Sequence, residues 1–300
     1  MITPSYMQGE YLEQTIRSVL LQGYPNLEYM VLDGGSTDAS RSIIEHYAPW
    51  LTHWRCEKDS GQAASILEGW QRGTGELFAW INSDDWYQAG ALYAVAEAAL
   101  KTPEQAWWMG PVDDCDVDGV FLKRHLPSEA DLARVLGRKN QGWHQPGMFW
   151  RKRLIEKIGP LDATLHYSFD HDFWARSLAE GFPMTPLETP IACFRRHPAS
   201  KTGGNPARTL LEDELIFRRH AGKLSAEARR QAEQWRQEFE ADLLIPAVYR
   251  LLMAKRRGAA FNLLVRYAHL IPRLDPPRAW FGAALRVILG RPAPAWMYAG

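Results

Sequence analysis

The chain begins with short apolar runs that alternate with amphipathic segments over its first 112 residues. Apolar spacing of three and four residues predicts helices at 11–21, 38–47, about 62–72 and 90–100. Strands are predicted at 1–3, 28–32, 50–57, 77–81 and 106–112, and the apolar run up to Ile81 is typical of a strand buried on both faces. Such alternation is typical of βαβ units, so we predict an α/β fold with a Rossmann-like, mostly parallel central sheet flanked by helices. The first strand is short, and we expect the natural chain to begin slightly upstream.

The pattern changes after residue 112. Residues 113–119 contain four Asp and a Gly, and we predict an exposed hairpin turn there, with a returning strand at 120–122. Further elements are predicted at 131–136, 151–158 and 169–180 (helices) and at 147–150 and 191–195 (strands). From about residue 207 the pattern is mostly helical, with helices at 211–220, 227–239, 243–254, 261–271 and 279–289. We therefore expect a domain over 1–205 and a C-terminal helical appendage over 206–300.

Charge is unevenly distributed although the formal net charge is zero. From residue 241 onward nine Lys and Arg stand against two Asp, whereas the first 240 residues hold 26 basic and 33 acidic residues. An acidic body with a basic tail indicates contact with an anionic surface. The tail helices are apolar with interspersed Arg and Lys, which fits peripheral contact with a membrane. A core-packing helical subdomain or a homodimer contact fits them equally well.

The cysteines and the N-terminus bear on the compartment. Cys56, Cys115 and Cys193 are scattered without metal-binding spacing, so we expect free thiols in a reducing environment. Pro4 and Glu10 interrupt the N-terminus before any signal-like apolar region. No stretch of about 18 apolar residues predicts a spanning helix. We expect a cytoplasmic protein, either free or peripheral on the inner face of a membrane, with no nucleic-acid partner.

An acidic pair, Asp84-Asp85, directly follows the predicted strand at 77–81. In open α/β sheets the carboxyl ends of the strands form the ligand crevice. Adjacent carboxylates repel each other unless a cation shares them, and oxygen ligands suit Mg²⁺ or Mn²⁺. Asp33 follows the second strand at the same edge, where helix N-termini favour anions. These features predict a phosphorylated ligand held through metal, although a solvated turn would explain the acidic pair alone.

Five short motifs occur in a specific order. They are Thr3-Pro4-Ser5-Tyr6, Asp33-Gly34-Gly35-Ser36-Thr37-Asp38, Asp59-x-Gly61, Asn82-Ser83-Asp84-Asp85 and Phe169-Asp170-His171-Asp172. With this ordered set the sequence closely resembles the family 2 inverting glycosyltransferases of the GT-A fold, over roughly residues 1–205.

The resemblance implies roles for residues on the donor side. Thr3 and Pro4 would line the nucleotide pocket, and Asp33 would accept hydrogen bonds from the base or ribose. Asp59 would close the nucleotide side. Ser83 belongs to the element that matches the family's DxD motif, here with Asn at the first position, and would contact the donor.

The resemblance also implies a metal site and a base. Asp84 would bind both the donor and a divalent metal, Mn²⁺ or Mg²⁺, with Asp85 as a ligand or supporting group. Asp170 matches the carboxylate that acts as catalytic base. Arg196 and His197 match a basic loop that approaches the donor diphosphate, where His197 would be a further metal ligand.

Several residues have simpler explanations. Asp33 and Asp38 are also suited to helix capping, and Asp172 to pairing with Arg176 one turn further on. His171, between two Asp, also fits a ligand role, but we expect it to face solvent. Trp143 and His144 fit an acceptor site or a packing role equally. Some positions depart from the family pattern: Met7, where Asn is common, Ala64 and Leu67, where polar residues are common, and Phe169, where an acid is common.

These observations predict a metal-dependent glycosyltransferase of the hexosyltransferase type. It would move a sugar from a nucleoside-diphosphate-sugar, foremost a UDP-sugar, to a hydroxyl of a surface polysaccharide or lipid-linked glycan acceptor. A sugar-phosphate nucleotidyltransferase is an alternative, but it would usually carry a glycine-rich basic loop after the first strand, and residues 4–9 lack the charge. A non-catalytic glycan-binding relative is the other alternative.

Overall fold

The structure is a computed structural model that describes residues 1–139, 142–197, 200–201, 205–274 and 278–294. The chain forms two compact units. The first comprises Met1–Asp131 and Asn140–Pro198, and the second comprises Leu132–Lys139 and Ala199–Gly300. The domain boundary predicted after residue 205 stays a prediction.

The first unit is built on three parallel strands: β1 (Ile2–Ser5), β2 (Met30–Asp33) and β3 (His53–Cys56). All residues of β1 and β2 are buried, as expected for a parallel sheet covered on both faces. On the other side of β1, Ile2 forms a parallel bridge with Trp80. The residues after Trp80 therefore emerge at the same sheet edge as the ends of β1 and β2. The predicted α/β fold is confirmed.

The remaining strands of the first unit include antiparallel pairs. β4 (Leu77–Phe78) and β6 (Trp107–Met109) both pair antiparallel with β9 (Met148–Arg151), and β10 (Thr185–Pro186) pairs parallel with β6. A second four-stranded sheet has the order β5, β11, β7, β8. Its strands are β5 (Trp86–Tyr87), β7 (Val112–Cys115), β8 (Phe121–His125) and β11 (Ala192–Arg195).

The single strand predicted at 106–112 is wrong, because Gly110-Pro111 divides it between the two sheets. Pro111 lacks the N–H that a continuous ladder would need. The turn predicted at 113–119 is also too long, since Asp113 and Asp114 are buried within β7. Asp113 is paired with Arg124, and Asp114 with Arg196. This charge pairing offsets the cost of burying carboxylates.

Helices cover the sheets of the first unit. Leu12, Ile16 and Val19 share the buried face of the first helix, as their spacing predicts. Much of the core is aromatic, and the rings of Trp80 and Trp150 stack at 4.8 Å. The helices are α1 (Gly9–Leu20), α2 (Ser40–Tyr47), α3 (Gln62–Arg72), α4 (Ala91–Lys101), α6 (Lys152–Ile158) and α7 (Phe169–Ala179).

The second unit is helical. Its helices are α5 (Leu132–Leu136), α8 (Pro206–His220), α9 (Ala226–Met253), α10 (Arg257–Arg266) and α11 (Arg278–Leu289). Two helices were expected between 227 and 254, but α9 continues through Pro246. Burial of Leu244 and Val248 beside it offsets the roughly 3 kcal/mol cost of an interior proline. Among the described residues, no helix has both the length and the apolar character needed to cross a bilayer.

Candidate functional site

The acidic loop at 82–85 leaves the central sheet next to β1. Ile81 donates its N–H to the carbonyl of Ile2 at 2.9 Å, which holds the start of the loop against the sheet. Gln62, at the start of α3, donates to Asn82 Oδ1 at 2.6 Å. The motif that begins at Asp59 is therefore tied to the acidic loop through Gln62.

Asp84 and His197 meet at this loop. The Nε2 atom of His197 lies 3.0 Å from Oδ2 of Asp84, and both side chains are largely buried. Two ligand atoms that each lie about 2.1 Å from an octahedral cation are about 3.0 Å apart. The pair therefore fits two neighbouring positions around a divalent ion. The ring of Tyr11, 4.8 Å from the His197 ring, packs against the imidazole.

Asp85 is turned into the protein. Its Oδ1 accepts the backbone N–H of Arg195 at 3.0 Å, and its Oδ2 accepts from Asn82 Nδ2 at 3.3 Å. Burial, and then the neighbouring Asp84 carboxylate, raise the pKa of Asp85 well above its ordinary value. In this arrangement both oxygens of Asp85 hold the loop together, which corresponds to the supporting role that the resemblance allows.

Arg195 is a site residue that sequence reasoning missed. Its guanidinium is buried, donates to the backbone carbonyls of Asp84 (3.0 Å) and Val117 (2.5 Å), and lies 4.5 Å from the Trp86 ring. Arg195 thereby fixes the acidic loop to the end of β11, two residues before His197. Its signal in the sequence is only its place at the end of a predicted strand.

Arg196 is half exposed and bound to Asp114. Its Nη2 donates to Asp114 Oδ2 at 2.7 Å. Burial would raise the pKa of Asp114, but hydrogen bonds from His125 and Arg196 keep it below its ordinary value. The structure thus gives the predicted diphosphate-binding arginine a carboxylate partner that the sequence did not indicate.

Asp114 also belongs to a cluster with two histidines. The ligand atoms of Asp114, His125 and His144 all lie within 4.8 Å of one another. Burial, and then His125, lower the pKa of His144 to about 4, so this ring is neutral at neutral pH. Neutral imidazoles and a carboxylate are metal ligands. However, Arg196 already bonds one oxygen of this carboxylate, and its fixed positive charge disfavours a cation there.

The predicted donor-side residues lie around the ends of β1, β2 and β3. Asp33 is fully buried and accepts the N–H groups of Gly35 (3.0 Å) and Ser36 (2.7 Å), so its carboxylate shapes the turn as a cap would. Asp59 accepts the N–H of Gly61 at 2.8 Å. A Cβ on Gly34 would lie 3.3 Å from the Asp59 carboxylate, which shows that the two loops touch.

Arg55 organises this side and was also missed. Its Nη1 donates to the carbonyl of Asp33 at 2.9 Å, and its Nη2 lies 3.3 Å from Asp59 Oδ2. Thr3 and Pro4 are buried in β1, and the Thr3 hydroxyl bonds the Tyr29 hydroxyl at 2.9 Å. The Thr3 side chain therefore points into the interior, which leaves its backbone for any contact with a nucleotide. Ser83 is buried in the acidic loop.

Asp170 lies in the first turn of α7 and accepts the N–H of His171 at 2.7 Å. The preceding residue, Phe169, packs its ring 6.1 Å from that of Trp80, just before the acidic loop. Asp172 is buried and pairs with Arg176 at 2.8 Å, in keeping with its structural interpretation. His171 is buried, so the expectation that it faces solvent is wrong.

Comparison with known proteins identifies the family. The model for Glycosyl transferase family 2 matches residues 1–159, more than half of the chain. The chain therefore belongs to glycosyl transferase family 2. It is 29% identical over 172 residues to an uncharacterized glycosyltransferase, alr2836, of Nostoc sp. strain PCC 7120, which covers 54% of this chain. The match spans about half, 53%, of that relative's length.

Solved structures share the fold. The S. aureus TarS 1–349 structure in complex with UDP-GlcNAc superposes with a TM-score of 0.62 at 14% identity, covering 97% of this chain and 91% of the TarS 1–349 chain. The mannosyltransferase PcManGT of Pyrobaculum calidifontis, in complex with GDP-Man and Mn²⁺, superposes with a TM-score of 0.57 at 18% identity, covering 96% of this chain and 84% of its own. The fold is thus that of GT-A glycosyltransferases.

Proposed function

We propose that this protein transfers a sugar from a nucleoside-diphosphate-sugar, foremost a UDP-sugar, to an acceptor hydroxyl with inversion at the anomeric carbon. The observation that carries the proposal is the pairing of Asp84 with His197 at the carboxyl edge of the parallel strands, in a chain of this family. TarS and PcManGT, which share the fold, hold UDP-GlcNAc and GDP-Man in their structures.

The donor would lie along the edge formed by the Asp33, Asp59 and Asp84 loops. Asp33 and Asp59 are already hydrogen-bonded to their own turns, so these turns are preformed for a nucleoside. The backbone of Thr3 and Pro4 would form the floor of this pocket, and Ser83 would contact the donor. Arg196 would move from Asp114 to the diphosphate, a change that its half-exposed side chain permits.

A divalent metal, Mn²⁺ or Mg²⁺, would be held by Asp84 and His197, with Asp85 supporting the loop. When bound, such an ion neutralises charge on the leaving diphosphate. Arg196, as a permanently charged guanidinium, would add to this stabilisation. Electrostatic stabilisation of developing charge is usually the largest single contribution to catalysis.

Asp170 would act as the general base. It would take the proton of the acceptor hydroxyl while the hydroxyl oxygen bonds the anomeric carbon and the bond from that carbon to the diphosphate oxygen breaks. The nucleoside diphosphate leaves with the electron pair of that bond. One displacement from the opposite face inverts the anomeric centre.

The acceptor that we propose is a surface polysaccharide or a lipid-linked glycan. His144 lies beside Phe194 and His125, with ring centroids 6.0 and 3.9 Å away. These rings come from β8, from β11 and from the segment before β9, and all three are partly exposed. They offer flat surfaces against which a sugar would pack. Trp143 is packed between Trp107 and Trp174 in the core and is therefore a supporting residue.

The base is tested by Asp170→Asn against Asp172→Asn as a matched control in the same helical turn. Transfer from UDP-sugars to oligosaccharide acceptors should fall about 10²–10⁴-fold in Asp170→Asn, because the base is lost. Thermal stabilisation by UDP with Mn²⁺ should be retained, since the donor site is unchanged. Asp172→Asn should instead lower the thermal stability of the protein without ligand, because the ion pair with Arg176 is lost. Full transfer by Asp170→Asn would rule out this assignment.

The metal site is tested separately by comparing Asp84→Asn with the pair His125→Gln and His144→Gln. If Asp84 and His197 hold the ion, the stabilisation by UDP that depends on Mn²⁺ disappears only in Asp84→Asn. If this stabilisation is lost only in the histidine variants, the metal is bound by the Asp114 cluster instead. If no nucleoside diphosphate stabilises the wild-type protein with any divalent ion, the donor site itself is wrong.

A further inference from the structure

Helix α11 is apolar apart from Arg278 and Arg286, yet its large apolar side chains are covered on one side only. Ala283 and Val287 are buried against the other helices of the second unit, and Trp280 and Ala284 are partly buried there. The opposite side exposes large apolar side chains at helical spacing: Phe281 (60%), Leu285 (53%), Ile288 (59%) and Leu289 (53%). Large apolar side chains that are exposed together on one side of a helix indicate a contact surface.

The preceding helix has the same property. Phe261 and Val265 lie one turn apart on α10 and are both exposed, whereas Leu263 and Leu264 are buried between helices. Two neighbouring helices of the second unit therefore present large apolar side chains to the outside. Single exposed apolar residues need no explanation, but a set that recurs on the outer faces of two helices does.

The segment that contains these helices is strongly basic. From residue 243 to the end the sequence has nine Lys and Arg and one acidic residue, Asp275. Arg266 is paired with Glu214, and Arg257 donates to the last carbonyls of α11. The other described basic residues that are exposed in this region are Arg250, Lys255, Arg256, Arg273 and Arg291.

Charge decides between the surfaces that could cover these helices. In a symmetric dimer the same patch faces itself, so the basic residues would be brought together and repel one another. An anionic lipid surface complements the same residues, at about 1 kcal/mol for each Lys or Arg near the headgroups. It also accepts the apolar side chains below the headgroup level.

We propose that the outer faces of α10 and α11, with their surrounding basic residues, bind the surface of an anionic lipid bilayer. At about 1.5 Å per residue the twelve residues of α11 measure about 18 Å, shorter than the roughly 30 Å hydrocarbon core. The helix therefore lies in the plane of the interface, with Phe281 and Leu285 inserted. This proposal does not depend on the transfer reaction.

The test is flotation of the full chain with vesicles of phosphatidylcholine alone or mixed 7:3 with phosphatidylglycerol. The wild-type protein should float with the anionic vesicles and stay behind with the neutral ones. Raising NaCl from 0.1 to 0.5 M should reduce the partition coefficient at least several-fold, because salt screens the basic residues. Equal binding to neutral and anionic vesicles would overturn the role of charge and with it the proposal.

Two variants make the test residue-specific. Phe281→Ser with Leu285→Ser should lower the partition coefficient at least tenfold, because two inserted side chains are lost. The matched control is Leu21→Ser with Leu100→Ser, which removes two exposed apolar residues from the first unit and should float like the wild type. Thermal stability equal to that of the wild type shows that both double variants are folded.

A second copy of the chain is the rival partner for this surface, and it would give a different result. If α11 covers a second copy of the chain, light scattering shows a dimer that Phe281→Ser with Leu285→Ser dissociates, and no vesicles are bound. Unchanged flotation of the same double variant would likewise overturn the proposal. Reduced flotation of Arg273→Gln with Arg291→Gln, at unchanged stability, would support it through the charged part of the surface.

Discussion

The Nε2 atom of His197 lies 3.0 Å from Oδ2 of Asp84, although 113 residues separate them in sequence. Asp84 follows the strand segment beside β1, and His197 follows β11 of the second sheet. Arg195 connects the two, because its side chain donates to the carbonyl of Asp84 and its backbone N–H donates to Asp85. The geometry of the proposed metal site thus depends on a residue that does not itself bind metal.

The first prediction concerns Arg195. Arg195→Lys removes the fork that reaches Asp84 and Val117, and a lysine cannot bond both carbonyls in the same way. We expect Mn²⁺ affinity, measured by calorimetry, to fall about 10–100-fold, as is typical when a residue that orients a metal ligand is lost. Arg124→Lys, on β8 of the same sheet, is the control and should bind Mn²⁺ normally. Unchanged affinity in Arg195→Lys would show that the loop is held without it.

Local patterns in the sequence were enough for the first elements. The spacing of Leu12, Ile16 and Val19 predicted α1, and the apolar runs within 28–32 and 77–81 predicted strands, because such patterns depend on near neighbours. The division of 106–112 between two sheets was not predictable, since it depends on which distant strand each half pairs with.

Only the site residues that belong to sequence motifs could be predicted. Asp84 and His197 were named from motifs, and the structure brings them together. His125 belongs to no motif, and its proximity to Asp114 follows from the pairing of β7 with β8. The burial of Asp114 requires Arg196, 82 residues away, so a single-sequence interpretation as an exposed turn could not foresee it.

The second prediction concerns pH and Glu240. Burial, only partly offset by Arg236, raises the pKa of Glu240 from 4.5 to about 7. Between these values the folded state binds more protons than the unfolded state, so the free energy of unfolding falls as pH rises from about 4.5 to about 7. The total loss is about 3 kcal/mol, and it is complete above that window.

Urea unfolding at pH 5, 6, 7 and 8 measures this loss. Glu240→Gln should remove it, so its stability should decline less than that of the wild type across the window. The exposed Glu233 on the same helix pairs with Arg229, and Glu233→Gln should keep the wild-type slope. Parallel pH profiles for the wild type and Glu240→Gln would contradict the raised pKa.

The third prediction concerns Gly69 in α3. A Cβ at this position would lie 2.5 Å from Cγ1 of Ile2, whose side chain is buried in β1. Alanine improves helix propensity by about 1 kcal/mol, but overpacking a buried contact costs about 1–3 kcal/mol. We expect Gly69→Ala to destabilise the protein by about 1 kcal/mol, measured by urea unfolding. Gly282→Ala in α11 meets nothing within 4 Å and should stabilise instead.

The fourth prediction concerns Met7, which follows β1 and stands where the resembling family commonly has Asn. Its φ angle is +54°, in the left-handed region that costs most residues roughly 1–2 kcal/mol and that Asn tolerates better. The backbone N–H of Met7 donates to Ser36 Oγ at 2.7 Å, so the strained residue joins β1 to the turn that Asp33 shapes. The side chain is half exposed, which means that little packing is lost on substitution.

Met7→Asn should therefore raise the free energy of unfolding by about 0.5–1 kcal/mol, because the backbone penalty falls while the bond to Ser36 is kept. Tyr6→Asn, at the exposed neighbour outside the left-handed region, is the control and should bring no such gain. Urea denaturation measures both. If Met7→Asn is no more stable than the wild type, then the contact of Met7 Sδ with the Thr37 N–H, at 3.4 Å, offsets the backbone cost, and the departure from the family pattern carries no stability penalty.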